Sequence, residues 1–491
     1  MKKLITGLLA VVAALLALMV VRTARIPAPD RSAPSVEAPP ALDTALAAQH
    51  LAGAIKFPTM SFASGGPIDT AAFRGLHDCL ATTFPLVHAT LKRDTVGTLS
   101  LLYTWTGTDP TLAPIVLMGH MDVVPVPGPN LPQWTHAPFS GDIADGFIWG
   151  RGALDDKVTV VSILEAVEGL IKAGYHPPRT IYLTFGHDEE VSGRYGARAI
   201  VDKLVAAGVK PALVLDEGGF LAAGLMPGLK GRAALIGIAE KGYVSLRLTA
   251  RAEGGHSSMP TSRTAVGALS RGIARLEANP FPFFLDGPSQ GMVEAMAPYM
   301  PFGRRMMIAN LWLTRPLVMK GLAANPLGAA LMHTTTSPTM LTAGIKDNVL
   351  PPEASAVVNF RIRPGETIAT VMERVGHVLA DSQISVIRLD SAGGDPSPVS
   401  DITSPAYQIV AATIRAMVPG DVPAVIPYLV MGGTDAKYWG EHSTRTFRFL
   451  AVPLNEGDRE RVHGLNEHVA IRDYATSIGF FMRLIRATDR L

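Results

Sequence analysis

The chain has 491 residues, of which 48% are hydrophobic and 18% are charged, so it can bury a large core and is expected to form more than one domain. Its net charge is +2 and it has no long run of Lys or Arg, which argues against a nucleic-acid partner. Because Cys79 is the single cysteine, neither an intrachain disulfide nor a thiolate metal site can form. Any metal ion must therefore be held by His, Asp and Glu side chains.

The N-terminal segment, residues 1–25, contains an apolar stretch at residues 4–21 with basic residues on both sides. This stretch is at the short limit for crossing a bilayer, and no small-residue cleavage motif follows it directly, so the pattern favours a signal anchor over a cleaved signal peptide. We expect a membrane-anchored protein that lies outside the cytoplasm, or a periplasmic or secreted one if the segment is cleaved. Residues 26–40 contain five prolines, which predicts an extended linker.

From about residue 41 the pattern becomes globular. Apolar runs at 115–118, 181–185 and 212–215 predict buried strands, and residues 158–171 predict a helix with one buried face. Strands that alternate with helices are typical of βαβ units. We therefore expect an α/β fold with a mostly parallel sheet flanked by helices.

Residues 243–250 and 354–362 alternate apolar and polar side chains, which predicts half-exposed antiparallel strands. This change of pattern indicates an inserted α+β lid domain at 247–363. The catalytic domain is then expected in two parts, residues 41–246 and 364–491.

Acidic and imidazole side chains follow the predicted strands, where open α/β sheets bind their ligands. The candidate metal ligands of this kind are His120, Asp155, Glu190 and Asp216, with His463 after a further apolar stretch at 447–452. Zinc accepts such ligands when sulfur is absent. Five ligands exceed the need of one tetrahedral ion, so they suit two ions bridged by one carboxylate.

Two further carboxylates have expected roles beside these ligands. Glu189 precedes Glu190, and since adjacent side chains point in different directions, Glu189 is free to act as a general base. Asp122 is placed to accept the other ring N–H of His120, which would fix the tautomer of that imidazole.

The motifs GHMD, GRGALDDK, DEE, LDEGG, GGHSS, NVLP, FRIRPG, GGTDA and HGLNE, in this order, resemble those of the di-zinc exopeptidase and amidohydrolase family. That family includes carboxypeptidase S, aminoacylase and succinyl-diaminopimelate desuccinylase. The resemblance covers residue 41 to the C-terminus and is closest to the branch of carboxypeptidase S and the N-fatty-acyl-amino-acid synthase/hydrolases.

The resemblance implies two zinc ions per subunit, although Co²⁺ or Mn²⁺ also suits the ligands. One ion would be held by His120, Asp155 and Asp216. The other would be held by Asp155, Glu190 and His463. Asp155 would bridge the two ions, and Glu189 would take a proton from water and pass it to the leaving amine.

The resemblance also implies groups that bind substrate. His256, in GGHSS, matches a histidine that stabilises the oxyanion, sometimes from a partner subunit, so a homodimer is compatible with this role. The groups that match those binding the free carboxylate of the substrate are Arg361, Asn348, Gly432, Gly433 and Thr434.

Some assignments have alternatives in the sequence. At three positions a neighbour of the same chemistry competes: Glu217 with Asp216, His468 with His463, and Arg363 with Arg361. Asp156 is expected to be auxiliary to the metal site or to cap the following helix. For His256, the alternative to stabilising the oxyanion is a position on the surface of the lid domain with no role in catalysis.

Residues 281–340 contain eight of the nineteen methionines. They are expected either to line an apolar pocket or touch the membrane, or to pack the core of the lid domain.

The leading functional hypothesis is a metal-dependent carboxypeptidase that acts on small peptides. The alternatives are an N-acyl (fatty-acyl) amino acid amidohydrolase or synthase, and a binding protein without catalysis.

Overall fold

The computed structural model describes residues 2–29, 39–62, 68–224, 229, 231–418, 420, 422–455 and 457–491. Most of the linker predicted at 26–40 lies outside the described residues. The α-helices are α1 (Lys2–Ala24), α2 (Thr44–Ile55), α3 (Thr70–Thr83), α4 (Pro85–Thr90), α5 (Lys157–Lys172), α6 (Ala197–Ala206), α7 (Ala265–Ala278), α8 (Gly287–Met296), α9 (Phe302–Ala309), α10 (Leu311–Ala323), α11 (Pro326–Met332), α12 (Ile368–Leu379), α13 (Pro405–Arg415), α14 (Asp458–Arg461) and α15 (Ile471–Ala487).

The strands are β1 (Lys92–Val96), β2 (Ser100–Trp105), β3 (Ile115–His120), β4 (Ile143–Ala144), β5 (Phe147–Trp149), β6 (Ile181–Gly186), β7 (Leu213–Asp216), β8 (Phe220–Ala223), β9 (Arg232–Glu240), β10 (Gly242–Arg251), β11 (Gly255–His256), β12 (Thr335–Ala343), β13 (Val349–Leu350), β14 (Glu353–Ile362), β15 (Ile384–Gly394), β16 (Ala424–Val430), β17 (Thr446–Arg448), β18 (Pro453–Leu454) and β19 (His468–Ala470).

A ten-stranded sheet forms the centre of the molecule, in the order β1-β2-β6-β3-β7-β17-β9-β8-β18, with β16 beside β9. The strands β6, β3, β7 and β17 run parallel to their neighbours in this group. Every residue of β3 is buried, as expected of a strand with helices on both faces. The predicted α/β fold with a mostly parallel sheet flanked by helices is confirmed.

Alternate residues of β3 face two separate apolar layers. Ile115 and Leu117 pack with residues of α2, α5 and α15, whereas Val116 and Met118 pack with residues of α6. Because a strand turns successive side chains to opposite faces, an uninterrupted apolar run is what this position requires. The sheet is thereby held rigid, and the ends of its strands occupy fixed positions.

A second, four-stranded antiparallel sheet has the order β12-β14-β10-β15. Alternate residues of β14 are buried against α7 and α12, which matches the alternation in the sequence. This sheet extends from Gly242 to Gly394, beyond the predicted lid boundaries of 247–363. The difference arises because β15 pairs along β10, although its sequence does not alternate regularly. The division of the chain into catalytic and lid domains stays a prediction.

Helices α8 to α11 occupy most of residues 281–340. Met292 and Met332 are buried in an apolar cluster with residues of β9 and β16, so this part of the segment packs a core. Other side chains of the same segment, including Trp312 and Leu317, remain exposed.

Helix α1 is long and apolar enough to cross a membrane, although a signal sequence would have the same properties. Its residues 3–18 are exposed, while Met19 and Thr23 near its C-terminal end are buried. That end packs against α9: Arg22 Nε donates to the carbonyl of Ala309 at 3.3 Å. Asn310 Nδ2 donates to the carbonyl of Met19 at 3.2 Å.

Candidate metal centre and active site

The carboxyl ends of three adjacent parallel strands carry the central residues of the site. His120 is the last residue of β3, Asp216 is the last residue of β7, and a short 3₁₀ turn, Glu189–Val191, follows β6. The register places His120 opposite Gly186. The strand ends therefore meet at one edge of the sheet, as the sequence pattern predicts.

Asp155 lies between two histidines. Its Oδ1 is 2.9 Å from Nε2 of His120, and its Oδ2 is 3.0 Å from Nε2 of His463. The same His463 nitrogen is 3.2 Å from Oε1 of Glu190. Ligand atoms of His120, Asp155 and Glu190 all lie within 4.8 Å of one another. Four of the five predicted ligands are thus in direct contact.

The donor set fits a divalent cation. Oε1 of Glu190 is buried and lies 3.2 Å from Nε2 of His463, and burial raises the pKa of this carboxyl group. Hydrogen bonds to Asp155 and Glu190 raise the pKa of His463 to about 10. Buried like charges of this kind are stabilised when a cation is shared between them.

Asp122 contacts both the imidazole of His120 and the 3₁₀ turn Glu189–Val191. Nδ1 of His120 lies 3.0 Å from the carbonyl oxygen of Asp122 and 3.4 Å from Oδ1 of its carboxylate. The backbone N–H groups of Glu189 and Glu190 each donate to the Asp122 carboxylate at 3.1 Å, and Ser61 Oγ donates at 2.6 Å. With Nδ1 occupied in this way, Nε2 of His120 is left to face the metal site.

Asp156 does not cap α5. It is buried and its side chain makes no capping hydrogen bond. Its Oδ2 instead accepts the backbone N–H of His120 at 3.3 Å. Asp156 therefore supports a metal-site residue, which is the auxiliary role that the sequence left as one of two alternatives.

Asp216 and Glu217 differ in what surrounds their carboxylates. Asp216 Oδ1 accepts the N–H of Glu217 at 3.0 Å, and its Oδ2 accepts the N–H of Ala436 at 2.7 Å. Glu217 lines the cavity at the metal site. Burial, together with the negative charge of Asp155, raises the pKa of Glu217 well above its usual range. Glu217 therefore reaches the cavity, whereas Asp216 bonds two backbone N–H groups, and the choice of Asp216 as the ligand beside His120 stays a prediction.

Glu189 also lines this cavity, beside Asp155 and Glu190. Burial raises the pKa of its carboxyl group well above the usual range, against a lowering effect of His120 and with further raising effects of Asp435 and Glu190. A carboxyl group with a raised pKa can both accept and release a proton near neutral pH, which is the requirement for a general base.

The cavity has a volume of about 480 Å³ and is lined by both acidic and basic side chains. Its lining includes Asp155, Glu190 and His463, and also Lys241, Arg361 and Lys437. The guanidinium of Arg361 stacks 4.6 Å from the ring centre of Tyr243. The cavity can therefore hold a metal site and an anionic group of a substrate together.

Lys241 and Arg363 occupy different environments near this cavity. Lys241 Nζ donates to the carbonyls of Ala330 and His333 at 2.7 and 2.8 Å, and burial lowers the pKa of its amine to about 7. Arg363 is paired with Asp286 and does not line the cavity, so Arg361 is the arginine of FRIRPG that faces it.

Among the remaining carboxylate-binding candidates, Gly432 and Gly433 line the cavity. Thr434 is buried and faces Glu240 instead, to which its N–H and Oγ donate at 3.1 and 2.8 Å. Glu240 is also paired with the buried Arg448. Thr434 therefore holds the glycine turn against Glu240, and its contact with a substrate stays a prediction.

His256, in β11, and Asn348, directly before β13, are exposed beside the antiparallel pair that these two short strands form, and neither residue lines the cavity. The carbonyl of Asn348 accepts the N–H of Ser257 at 3.2 Å, and Nδ1 of His256 accepts the N–H of Ser258 at 3.1 Å. In this conformation of a single chain, neither side chain reaches the metal site.

His468, the alternative to His463, is held elsewhere. Its Nδ1 lies 2.7 Å from the carbonyl of Asn466, and its ring stacks 4.1 Å from that of Trp149. His463 is the histidine that contacts Asp155.

Sequence reasoning missed Glu467 and Arg151, which join the loops of Asp155 and His463. Arg151 Nη1 donates to Glu467 at 2.5 Å, and its Nη2 donates to the carbonyl of His463 at 3.1 Å. Glu467 is fully buried. Both residues stand inside quoted motifs, GRGALDDK and HGLNE, but nothing in their local sequence indicates that they meet.

An α/β sheet that gathers His, Asp and Glu side chains at its strand ends, beside a further buried carboxylate, defines a metal-dependent hydrolase. Residues 116–487 match the family described as Peptidase family M20/M25/M40, and the chain belongs to this family. Membership implies a divalent metal at the site.

Two relatives are similar over most of their length. An N-fatty-acyl-amino acid synthase/hydrolase of Xenopus tropicalis is 40% identical over 445 residues, which are 90% of this chain and 85% of the relative. A probable carboxypeptidase S-like protein of Dictyostelium discoideum is 38% identical over 453 residues, with the same two coverages. The predicted family resemblance is confirmed.

Two solved structures have a similar fold. An M20 family metallo-carboxypeptidase from Sulfolobus solfataricus gives a TM-score of 0.68 at 20% identity, over 91% of this chain and 99% of that one. Human carnosine dipeptidase 1 gives a TM-score of 0.61 at 17% identity, over 92% and 100%.

Proposed function

We propose that this protein hydrolyses an amide bond whose amine side is an amino acid with a free carboxylate. The observation that carries the proposal is one cavity whose lining contains Asp155, Glu189, Glu190 and His463 together with Arg361. A scissile amide beside the predicted metal ligands and a carboxylate near the guanidinium would both be bound by complementary chemistry.

The metal is proposed to be zinc, with two ions per subunit. Asp155 directs one oxygen to His120 and the other to His463, which supports a bridging role for this carboxylate. Asp216 is the predicted ligand beside His120, and we propose Glu217 as the alternative, because its side chain lines the cavity. When bound, the ions supply Lewis acidity, which polarises a carbonyl oxygen and lowers the pKa of water.

Glu189 is proposed to move the proton. It would take a proton from the attacking water and deliver it to the amine nitrogen as the amide bond breaks. Asp122 holds the two glutamates of the turn through their backbone N–H groups, so it would keep Glu189 in position during both transfers. The ligands and Glu189 together favour an enzyme over a binding protein without catalysis.

Arg361 would bind the substrate carboxylate, with Gly432 and Gly433 allowing close approach of their backbone. A guanidinium can donate two parallel hydrogen bonds to a carboxylate. His256 and Asn348 would reach the substrate only after the predicted lid domain closes over the cavity, or from a second copy of the chain.

The first candidate substrate class is a small peptide with a free C-terminus, which the carboxypeptidase S-like relative supports by its name. The second is an N-acyl amino acid, which the N-fatty-acyl-amino acid synthase/hydrolase relative supports by its name. Exposed apolar side chains on α10, close to the candidate membrane helix α1, favour the second class for substrates with long acyl chains.

The test is hydrolysis by the zinc-loaded full-length chain in detergent micelles, on a panel of dipeptides and N-acyl amino acids, each with a free and an amidated carboxyl group. We expect turnover only of members with a free carboxylate, and none by Glu189→Gln. Faster hydrolysis of the dipeptides would indicate the first substrate class, and faster hydrolysis of the N-acyl amino acids would indicate the second. Turnover that persists in Glu189→Gln, or that ignores the carboxylate, would overturn the proposal.

A further inference from the structure

We propose that the exposed face of α9 and α10 is a membrane-docking surface that lies in the anionic headgroup layer beside α1. It is defined here as the docking face by Phe302, Trp312, Leu313, Leu317 and Lys320, which are all exposed. This inference rests on the membrane helix and not on the hydrolytic reaction.

The depth of α1 sets the position of the docking face. Residues 3–18 of α1 are exposed and would extend about 24 Å from the protein, at 1.5 Å per residue. A hydrocarbon core about 30 Å thick corresponds to roughly 20 helical residues, so it requires the whole apolar stretch at residues 4–21. The globular part must then lie directly against the bilayer, with no room for a separating layer of water.

The contacts at the end of α1 show which surface lies there. Arg22 Nε donates to the carbonyl of Ala309, the last residue of α9, and Asn310 donates to the carbonyl of Met19. Trp312 follows two residues later, and its indole N–H donates to Asn310 Oδ1 at 3.3 Å. The start of α10 is consequently at the depth of the headgroups when α1 spans the bilayer.

The side chains of the docking face suit that depth. Phe302, Trp312, Leu313 and Leu317 are between 49% and 64% exposed, although each is a large apolar residue. Leu313, Leu317 and Lys320 follow at helical spacing on one side of α10. Tryptophan with its polar N–H near water and its ring near lipid is typical of membrane interfaces.

Charge supports a lipid surface as the occupant. Residues 295–323, which include α9 and α10, contain no Asp or Glu, but they contain four basic residues. Anionic headgroups attract such a segment, by about 1 kcal/mol per basic residue near the surface. A second copy of the chain on the same face would bring like charges together, which is unfavourable.

The docking face is also connected to the cavity. Lys241, which lines the cavity, donates to carbonyls of Ala330 in α11 and of His333 just after it. Helix α11 packs against α10. A substrate could keep its apolar tail in the bilayer and its carboxylate at the bilayer surface. It would then meet the enzyme on the docking face, which is connected to the cavity through α11.

The experiment uses the full-length chain in nanodiscs of anionic lipid and the fluorescence of Trp312. The Trp312→Phe variant is subtracted, so that the difference reports this indole alone. Lipids brominated near the headgroup end of the acyl chain test contact with the bilayer, and aqueous iodide tests contact with water. We expect loss of most of the difference signal with the brominated lipids and little loss with iodide.

Two results would overturn the proposal. Quenching by iodide but not by brominated lipid would place Trp312 in water, and quenching by neither would indicate that protein, such as a second copy, covers the face.

In a second experiment, the double variant Leu313→Ser with Leu317→Ser should show less quenching by brominated lipid. The control Leu131→Ser changes an equally exposed leucine elsewhere and should leave this quenching unchanged. Hydrolysis of a water-soluble substrate should be unchanged in these variants, so failure here is separable from failure of the proposed function.

Discussion

The backbone N–H of Asp155 donates a hydrogen bond of 3.2 Å to the buried carboxylate of Glu467. The same carboxylate oxygen accepts the N–H groups of Gly152 and Leu154 at 3.0 and 2.8 Å. Arg151 bonds the other oxygen and also the carbonyl of His463. One buried carboxylate thus fixes the loop of Asp155 relative to the loop of His463, and Glu467 acts as a positioning residue.

Glu467→Gln should weaken metal binding about 10- to 100-fold, the usual effect of losing an outer partner of a ligand. The amide keeps the shape of the side chain but removes its ion pair with Arg151. Competition with a chromogenic chelator measures the metal affinity. Glu165→Gln is the control, because it removes a buried carboxylate that pairs with His50. Equal affinities for the parent and the Glu467 variant would contradict the assignment.

Glu189→Gln should lower kcat by about 10²- to 10⁴-fold, because amide nitrogen cannot take the proton from water. The metal content should not change, since Glu189 is not an expected ligand. Steady-state kinetics and elemental analysis of the same preparation provide both readouts. A variant that loses its metal together with its activity would instead identify Glu189 as a ligand.

Glu217→Gln and Asp216→Asn separate the two candidates for one ligand. We expect Glu217→Gln to lower the metal content, because this side chain faces the cavity. Asp216→Asn should chiefly lower the thermal midpoint, because it disturbs the hydrogen bonds to the backbone of Glu217 and Ala436. Metal content and thermal unfolding of the two variants form the test, and the reverse pattern would restore Asp216 as the ligand.

Much of the fold could be predicted because apolar periodicity is a local signal. The run at 115–118 is part of β3, and the helix predicted at 158–171 is α5, longer by one residue at each end. The ends of parallel strands meet, so the cluster of His120, Asp155 and Glu190 also followed from local sequence and motif order.

The remaining features depend on contacts that local sequence does not contain. Arg151 and Glu467 are 316 residues apart, and the sequence around each of them does not predict that its charged side chain is buried. Whether Asp216 or Glu217 faces the cavity depends on the backbone path after β7. The pairing of β15 with β10 likewise rests on tertiary contacts, because residues 384–394 do not alternate regularly.

Stability should depend on pH through His77, which is buried on α3. Burial, with a smaller effect of Arg93, lowers the pKa of His77 from 6.5 to about 4. Between these values the unfolded chain binds more protons than the folded one, so stability rises with pH and falls on acidification. The loss by pH 4 is at most about 3 kcal/mol.

Denaturant unfolding of the parent and His77→Gln, from pH 4 to pH 7, measures this contribution. The difference between their free energies of unfolding should change across pH 4 to 6.5 and be constant above it. A constant difference throughout would show that His77 has an ordinary pKa in the folded chain.

Arg361→Met should remove the preference for a free carboxylate. The guanidinium faces the cavity and stacks on Tyr243, whereas Arg363 is paired with Asp286 outside it. Hydrogen bonds to a charged partner contribute about 1.5–3 kcal/mol, so kcat/KM for a carboxylate substrate should fall by about 10- to 100-fold. The amidated analogue should lose much less. Arg363→Met is the matched control and should retain the preference, and a parallel loss on both substrates in Arg361→Met would point to a structural role for this arginine.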